Sequence, residues 1–139
     1  VLARQRQQRV MEALRDAMEF GVFDAVCQAA PRLFGSRRFA SEAGMMHVAA
    51  TLQVQGPAAA RSALQALPEK ATLEEPAQHF VEACIHAQDG DSMAAEQELQ
   101  ACLGLDEDYA VEAEANPFLA PLLHRIQSRL QPSDGTEFG

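Results

Sequence analysis

Tryptophan is absent and tyrosine occurs once, so any core must be built from aliphatic side chains and a few phenylalanines. No stretch alternates apolar and polar residues for long enough to make a strand, which leaves an all-α class. No apolar run approaches the roughly 20 residues that a membrane-spanning helix needs, so membrane insertion is not expected. The three cysteines, Cys27, Cys84 and Cys102, are odd in number and far apart. Each sits in an apolar helical context. That excludes a disulfide framework and points to buried thiols in a reducing, cytoplasmic setting. No signal-peptide pattern opens the chain.

Positive charge is missing from a long segment. Residues 71–115 hold twelve acids and no Lys or Arg, whereas residues 1–40 hold seven Arg against four acids. With a net charge of −9, nucleic acid is excluded as the main ligand, because phosphate binding needs a basic surface. The uneven charge suits either a solvated acidic face or head-to-tail stacking of basic and acidic ends.

Recognisable catalytic chemistry is also missing. Ser41, Ser62 and Ser92 have no His or Asp at a nucleophile-triad spacing, and no Gly-rich loop offers to cradle a phosphate. His47 and His124 are isolated. His79, Glu82 and His86 recur at i, i+3 and i+7, so one helix face presents two or three metal ligands. No second cluster in the sequence completes the shell, and a solvated polar face is the expectation. Neither enzyme activity, a catalytic residue, a metal nor a cofactor is expected.

What is present is helix. Ala and Leu dominate, both strong helix formers, and 139 residues suffice for one domain with a real core. Gly21, Gly56 and Gly90 stand 35 and 34 residues apart. Each divides two helical patterns, and that interval is the period of a helical-hairpin solenoid.

The first hairpin is expected over about 3–34. Val10, Met11, Ala13, Leu14, Ala17 and Met18 form its first stripe, Gly21 its turn, and Ala25, Val26, Ala29, Ala30 and Leu33 its return face. Pro31 should end or bend that second helix early. Gly35-Ser-Arg-Arg38 is the link. The second hairpin covers about 39–67, with Met45, Val48, Ala49 and Leu52 on one stripe and Met46 and Ala50 beside it. It turns at Gly56-Pro57, where proline at the first helical position lacks only an N–H that is unsatisfied anyway. Ala60, Ala63, Leu64 and Leu67 face back.

The third hairpin is expected over about 75–105. Thr72 and Glu75 suggest a capping box, Asp91 or Ser92 a cap for the second helix, and Ala95, Leu99, Cys102, Leu103 and Leu105 its inner face. A turn of helix is expected near 110–115. Asn116-Pro117 then starts an end helix to about 131, with Leu119, Leu122, Leu123, Ile126 and Leu130 as its apolar stripe and Pro121 near its clean start. The expected domain is thus 3–131. Gly135-Thr-Glu-Phe-Gly139 resembles a cloning-site remnant, so 132–139 is expected to be a disordered tail or such a remnant. A start at Val1 rather than Met fits a piece of a longer or fused protein.

At residues 83–106 the pattern Ala83…Gly90-Asp-Ser-Met-Ala-Ala95…Leu99…Cys102-Leu-Gly-Leu-Asp106 resembles a tetratricopeptide repeat. Ala95, Leu99 and Cys102 stand where that family places a small, a large and a small residue in its second helix. Glu107 replaces the family's terminal proline. The second unit resembles the family through Met45, Val48, Ala49 and Leu52, with Arg61 or Ala60 at the alanine place. The first matches poorly in its second helix. The resemblance covers roughly 8–109; a generic α-hairpin array is the alternative.

Membership would imply a short right-handed α-solenoid of about three repeats plus a C-terminal capping helix. Its first helices would line a concave groove for an extended peptide or amphipathic helix. The family's groove positions fall on Met11, Arg15 and Met18, on Met46, Ala50 and Gln53, and on Val81 and Ile85. The result is a Met-rich groove, and thioethers are adaptable packers. Equally, these methionines suit inter-repeat core. The functional expectation is a protein-binding adaptor or secretion-type chaperone. The alternative is a homo-oligomeric scaffold that uses the basic N-terminal and acidic C-terminal surfaces.

Overall fold

The computed structural model describes residues 2–130. Among them are eight α-helices and no strand. The tail at 132–139, and the last residue of the expected domain, lie outside the described residues. The expected single domain is divided by its contacts into two compact units, one running to Ala77 and the other from Gln78.

In the first unit, α1 (Leu2–Phe20) turns at Gly21 into α2 (Phe23–Ala29). The turn is a Schellman motif: the Val22 amide donates to the Ala17 carbonyl at 2.8 Å, and the Gly21 amide to the Met18 carbonyl at 3.3 Å. Gly21 adopts φ +77°, where a side chain would be strained. Pro31 acts as its chemistry requires. It has no N–H to continue the α-helical ladder, and the chain tightens into a 3-10 segment at Ala30–Leu33. Ser36, buried in the link, then accepts the Phe39 amide on its hydroxyl at 3.3 Å and leads into the next helix.

That helix, α3 (Ala40–Gln55), is the centre of the unit. Its buried residues Ala40, Ala43, Gly44, Val48, Ala50, Thr51 and Leu52 extend round much of its circumference. A helix apolar on so many sides is an interior helix rather than a surface one. Met11, Leu14, Val26, Ala30, Leu33, Phe39, Ala43 and Ala50 form the core, with Met18, Cys27, Phe34 and Met46 packed against it.

Gly56 ends α3, and α4 (Pro57–Gln65) follows at once. This turn differs from the first. Pro57 has no amide to donate back, so the Gly56 amide alone reaches Thr51 and Leu52, at 3.2 and 3.1 Å. A short 3-10 segment at Glu69–Ala71 brings the chain back to α3. There the approach is close: a Cβ on Gly44 would stand 2.6 Å from the Ala71 carbonyl oxygen.

The expected capping box at Thr72 is not how α5 (Glu75–Gln88) begins. The helix starts at Glu75 itself, and the Thr72 hydroxyl points back to the Pro68 carbonyl at 3.3 Å. Threonine favours such local backbone contacts in turns.

In the second unit, α5 turns through Gly90, at φ +85°, into α6 (Ser92–Leu105). The Schellman pattern returns: Asp91 donates to His86 at 2.9 Å and Gly90 to Ala87 at 3.2 Å. Of the two expected caps, Asp91 is the one used, its carboxylate accepting the Ala94 amide at 3.1 Å. Helix α7 (Tyr109–Glu114) is the short turn anticipated near 110. Asn116 then receives the amides of Phe118 and Leu119, at 2.9 and 3.2 Å. The chain makes one turn and enters α8 (Ala120–Leu130), whose first turn contains Pro121.

Phe80, Val81, Ala83 and Ile85 of α5 are buried, as are Ala95, Leu99 and Cys102 of α6 and Leu122, Leu123 and Ile126 of α8. Ala13 and Ala25, assigned to the first hairpin's inner faces, are exposed, and two leucines assigned to inner stripes turn outward, Leu105 at 52% exposure and Leu130 at 74%. Both leucines close their helices, where the neighbouring element no longer covers the stripe.

Two glycine substitutions should move stability in opposite directions. Gly44→Ala drives a Cβ into backbone and should destabilise the protein by about 1–3 kcal/mol, less a propensity gain of up to about 1 kcal/mol. Gly104→Ala lies in α6 with nothing within 4 Å of the added atom, and should stabilise by about 0.5–1 kcal/mol. Urea melts of the two variants give both signs.

Candidate functional site

The predicted groove residues separate by burial. Met11 and Ala50 of the first unit, and Val81 and Ile85 of the second, are core residues. They offer a partner no surface. Met18 and Met46 are half-buried and lean on the first unit's core. Arg15 and Gln53 are exposed. The Arg15 guanidinium is held, donating from Nε and Nη2 to the two Glu42 oxygens at 2.8 Å each, so it ties α1 to α3. Those hydrogen bonds keep the Glu42 carboxyl below its ordinary range, partial burial opposing them. What remains accessible on these first helices is therefore a polar and thioether face, rather than an apolar trough.

Next to this face lies His47. Burial depresses its pKa, and its Nδ1 has no hydrogen-bond partner among the described residues. Its ring meets Phe34 edge-on, with centroids 5.5 Å apart. The Thr51 hydroxyl donates to the His47 carbonyl at 2.7 Å, not to the ring. The imidazole is therefore a packing element whose charged form burial disfavours.

Three groups stand together in the second unit. Glu82 and His86 lie one helical turn apart on α5, and Glu98 reaches across from α6. One donor atom from each comes within 4.8 Å of the others. All three residues are half-buried. His79 joins from the side, its Nδ1 2.7 Å from Glu98 Oε1. The α5 face was visible in the sequence, but Glu98 was not. A signal did exist: Glu82 and Glu98 each stand eight residues from Gly90, and an antiparallel hairpin brings equidistant residues together. Among the described residues, Glu82, His86 and Glu98 are the group whose donor atoms could hold a metal ion.

Glu96, two residues before Glu98, belongs to a separate network. It accepts from Arg125 at 3.2 Å and from Arg129, both on α8. The acidic helix is thus tied to α8 through one carboxylate, while the Glu82, His86 and Glu98 set has no guanidinium in it.

The thiols of Cys84 and Cys102 are quiet. Burial first, then the negative potential of Cys102 and Glu112, pushes Cys84 up to about 12. Burial likewise pushes Cys102 up to about 11. Among the described residues, the only side-chain hydrogen bond to the Cys84 sulfur is from Asn116 Nδ2, at 3.6 Å. All three cysteines are free.

No protein-family model, no curated protein and no solved structure matches the chain at a significant level. The tetratricopeptide resemblance thus stands on the residues quoted for it. No helix of the described residues is long and apolar enough to cross a membrane.

The thiol environments set reactivity, because the thiolate is the nucleophile. At about pH 8, where a free thiol is substantially ionised, iodoacetamide should leave Cys84 and Cys102 of the native protein unmodified. Urea-unfolded protein should be alkylated at both. Peptide mass spectrometry reads the difference, and native alkylation of Cys84 at the rate of a model thiol would show that its setting is open.

Proposed function

We propose that the three hairpins are successive repeats of a tetratricopeptide-like solenoid closed by α8, and that this array is a protein-binding module. Its partner would be an apolar or amphipathic segment of another protein, as an adaptor or a chaperone holds one. The observation that carries the reading is the recurring turn. Gly21, Gly56 and Gly90 all adopt positive φ, at 77°, 98° and 85°, each between two helices and at nearly equal intervals. A positive-φ glycine at the same phase of each helix pair marks a repeated unit, and stacked units of that kind present extended binding surfaces.

Free cysteines support a reducing, cytoplasmic setting. The accessible parts of the proposed face on the first two hairpins are Arg15, Met18, Met46 and Gln53. A half-buried thioether can shift to meet a ligand without losing its core contacts, which suits Met18 and Met46 to a variable apolar segment.

Site-specific photocrosslinking tests the face. A benzophenone amino acid at Met18 or Gln53 should capture a partner protein in the native lysate. The same probe at Gln65, exposed on α4, should not. Equal capture from all three positions would remove the first-helix face as the site. Capture of only further copies of the chain, lost in high salt, would favour assembly through its basic and acidic ends instead.

A further inference from the structure

The half-buried cluster on the third hairpin brings together the donor types of a cation site. Glu82 and Glu98 bring two carboxylates together with the His86 imidazole, their donor atoms within 4.8 Å. Among the described residues, the side chains of Glu82 and His86 make no hydrogen bond or ion pair. Arg125 and Arg129 are engaged by Glu96, and residues 71–115 supply no Lys or Arg of their own. The surrounding acidic segment raises the local concentration of cations.

The geometry is that of a ligand set. Glu82 and His86 are spaced i, i+4 on one helix, which aims two side chains at one point. Glu98 comes from the opposite helix, so the donors converge from two sides rather than lying along one ridge. Two ligands about 2.1 Å from one cation stand at most about 4.2 Å apart, close to the 4.8 Å within which these donor atoms already lie. His79, 2.7 Å from Glu98 Oε1, holds that carboxylate in place, as histidine and carboxylate partners do around bound metals. An imidazole nitrogen among carboxylate oxygens favours first-row transition ions over Mg²⁺ or Ca²⁺, whose ligands are oxygen.

We propose that Glu82, His86 and Glu98 bind one divalent transition cation of the Zn²⁺ class, with His79 positioning Glu98 and water completing the shell. The ion bridges α5 and α6 and so clamps the hairpin at mid-length. Three protein ligands leave a coordination position open, the arrangement of a site that keeps an exchangeable ligand.

The test is calorimetric titration of the chelator-treated protein with Zn²⁺, followed by Co²⁺ as a spectroscopic probe. One Zn²⁺ per chain should bind, and the melting temperature should rise with added metal. His86→Ala and Glu98→Gln should each abolish binding at that stoichiometry, with helical circular dichroism unchanged. His79→Ala should weaken affinity by about 10–100-fold. Glu82→Gln provides a third ligand variant should one of the others fail to fold. The Co²⁺ complex should show visible ligand-field bands without a thiolate charge-transfer band. The proposal is overturned if the wild type binds no Zn²⁺, if folded ligand variants bind as tightly as it does, or if the cobalt spectrum reports a cysteine ligand.

Discussion

The close approach of α3 to the carbonyl of Ala71 is the constraint on which the first unit depends. A helix buried round much of its girth must be met by neighbours on several sides. One of those neighbours is backbone, admitted because Gly44 has no side chain. Once α3 is in place, the half-buried character of Met18 and Met46 follows, and the Arg15–Glu42 pair has its two helices held at the right separation.

Turn chemistry explains most of what could be read in advance. A glycine after an apolar stripe, a proline at a first helical position and an aspartate before a helix are local signals, and local signals survive folding. Gly21, Gly90, Asp91 and Pro31 therefore do what their types suggest. Thr72 does not, because its hydroxyl had two partners within reach, and the Pro68 carbonyl was one that no pattern of spacing reveals. The difference between the Gly56 turn and the other two was legible as well: Pro57 removes the amide that would complete the Schellman bond.

Burial was harder to read than helix. Periodicity says which residues share a face but not whether a second helix covers it. Met11 and Met18 lie seven residues apart on the same stripe of α1, yet one is sealed and the other half-open. Family positions placed Met11, Ala50, Val81 and Ile85 in a groove, and the packing places them in cores. For the His–Glu cluster the difficulty was of another kind. Three of its members share α5 and could be found by counting. The fourth belongs to α6, and only the hairpin geometry about Gly90 brings it into register.

The quiet thiols shape how the chain meets oxidants. Thiolates ordinarily react first, but burial disfavours the thiolates of Cys84 and Cys102. Among the described residues, the sulfur side chain most open to solvent is Met93, 76% exposed at the start of α6. Conversion of that thioether to its sulfoxide adds polarity where water already stands, so the side chain can be oxidised and repaired without disturbing the interior. Met11, fully enclosed, has no such tolerance, and its position at the centre of the first unit keeps peroxide away from it for as long as the fold holds.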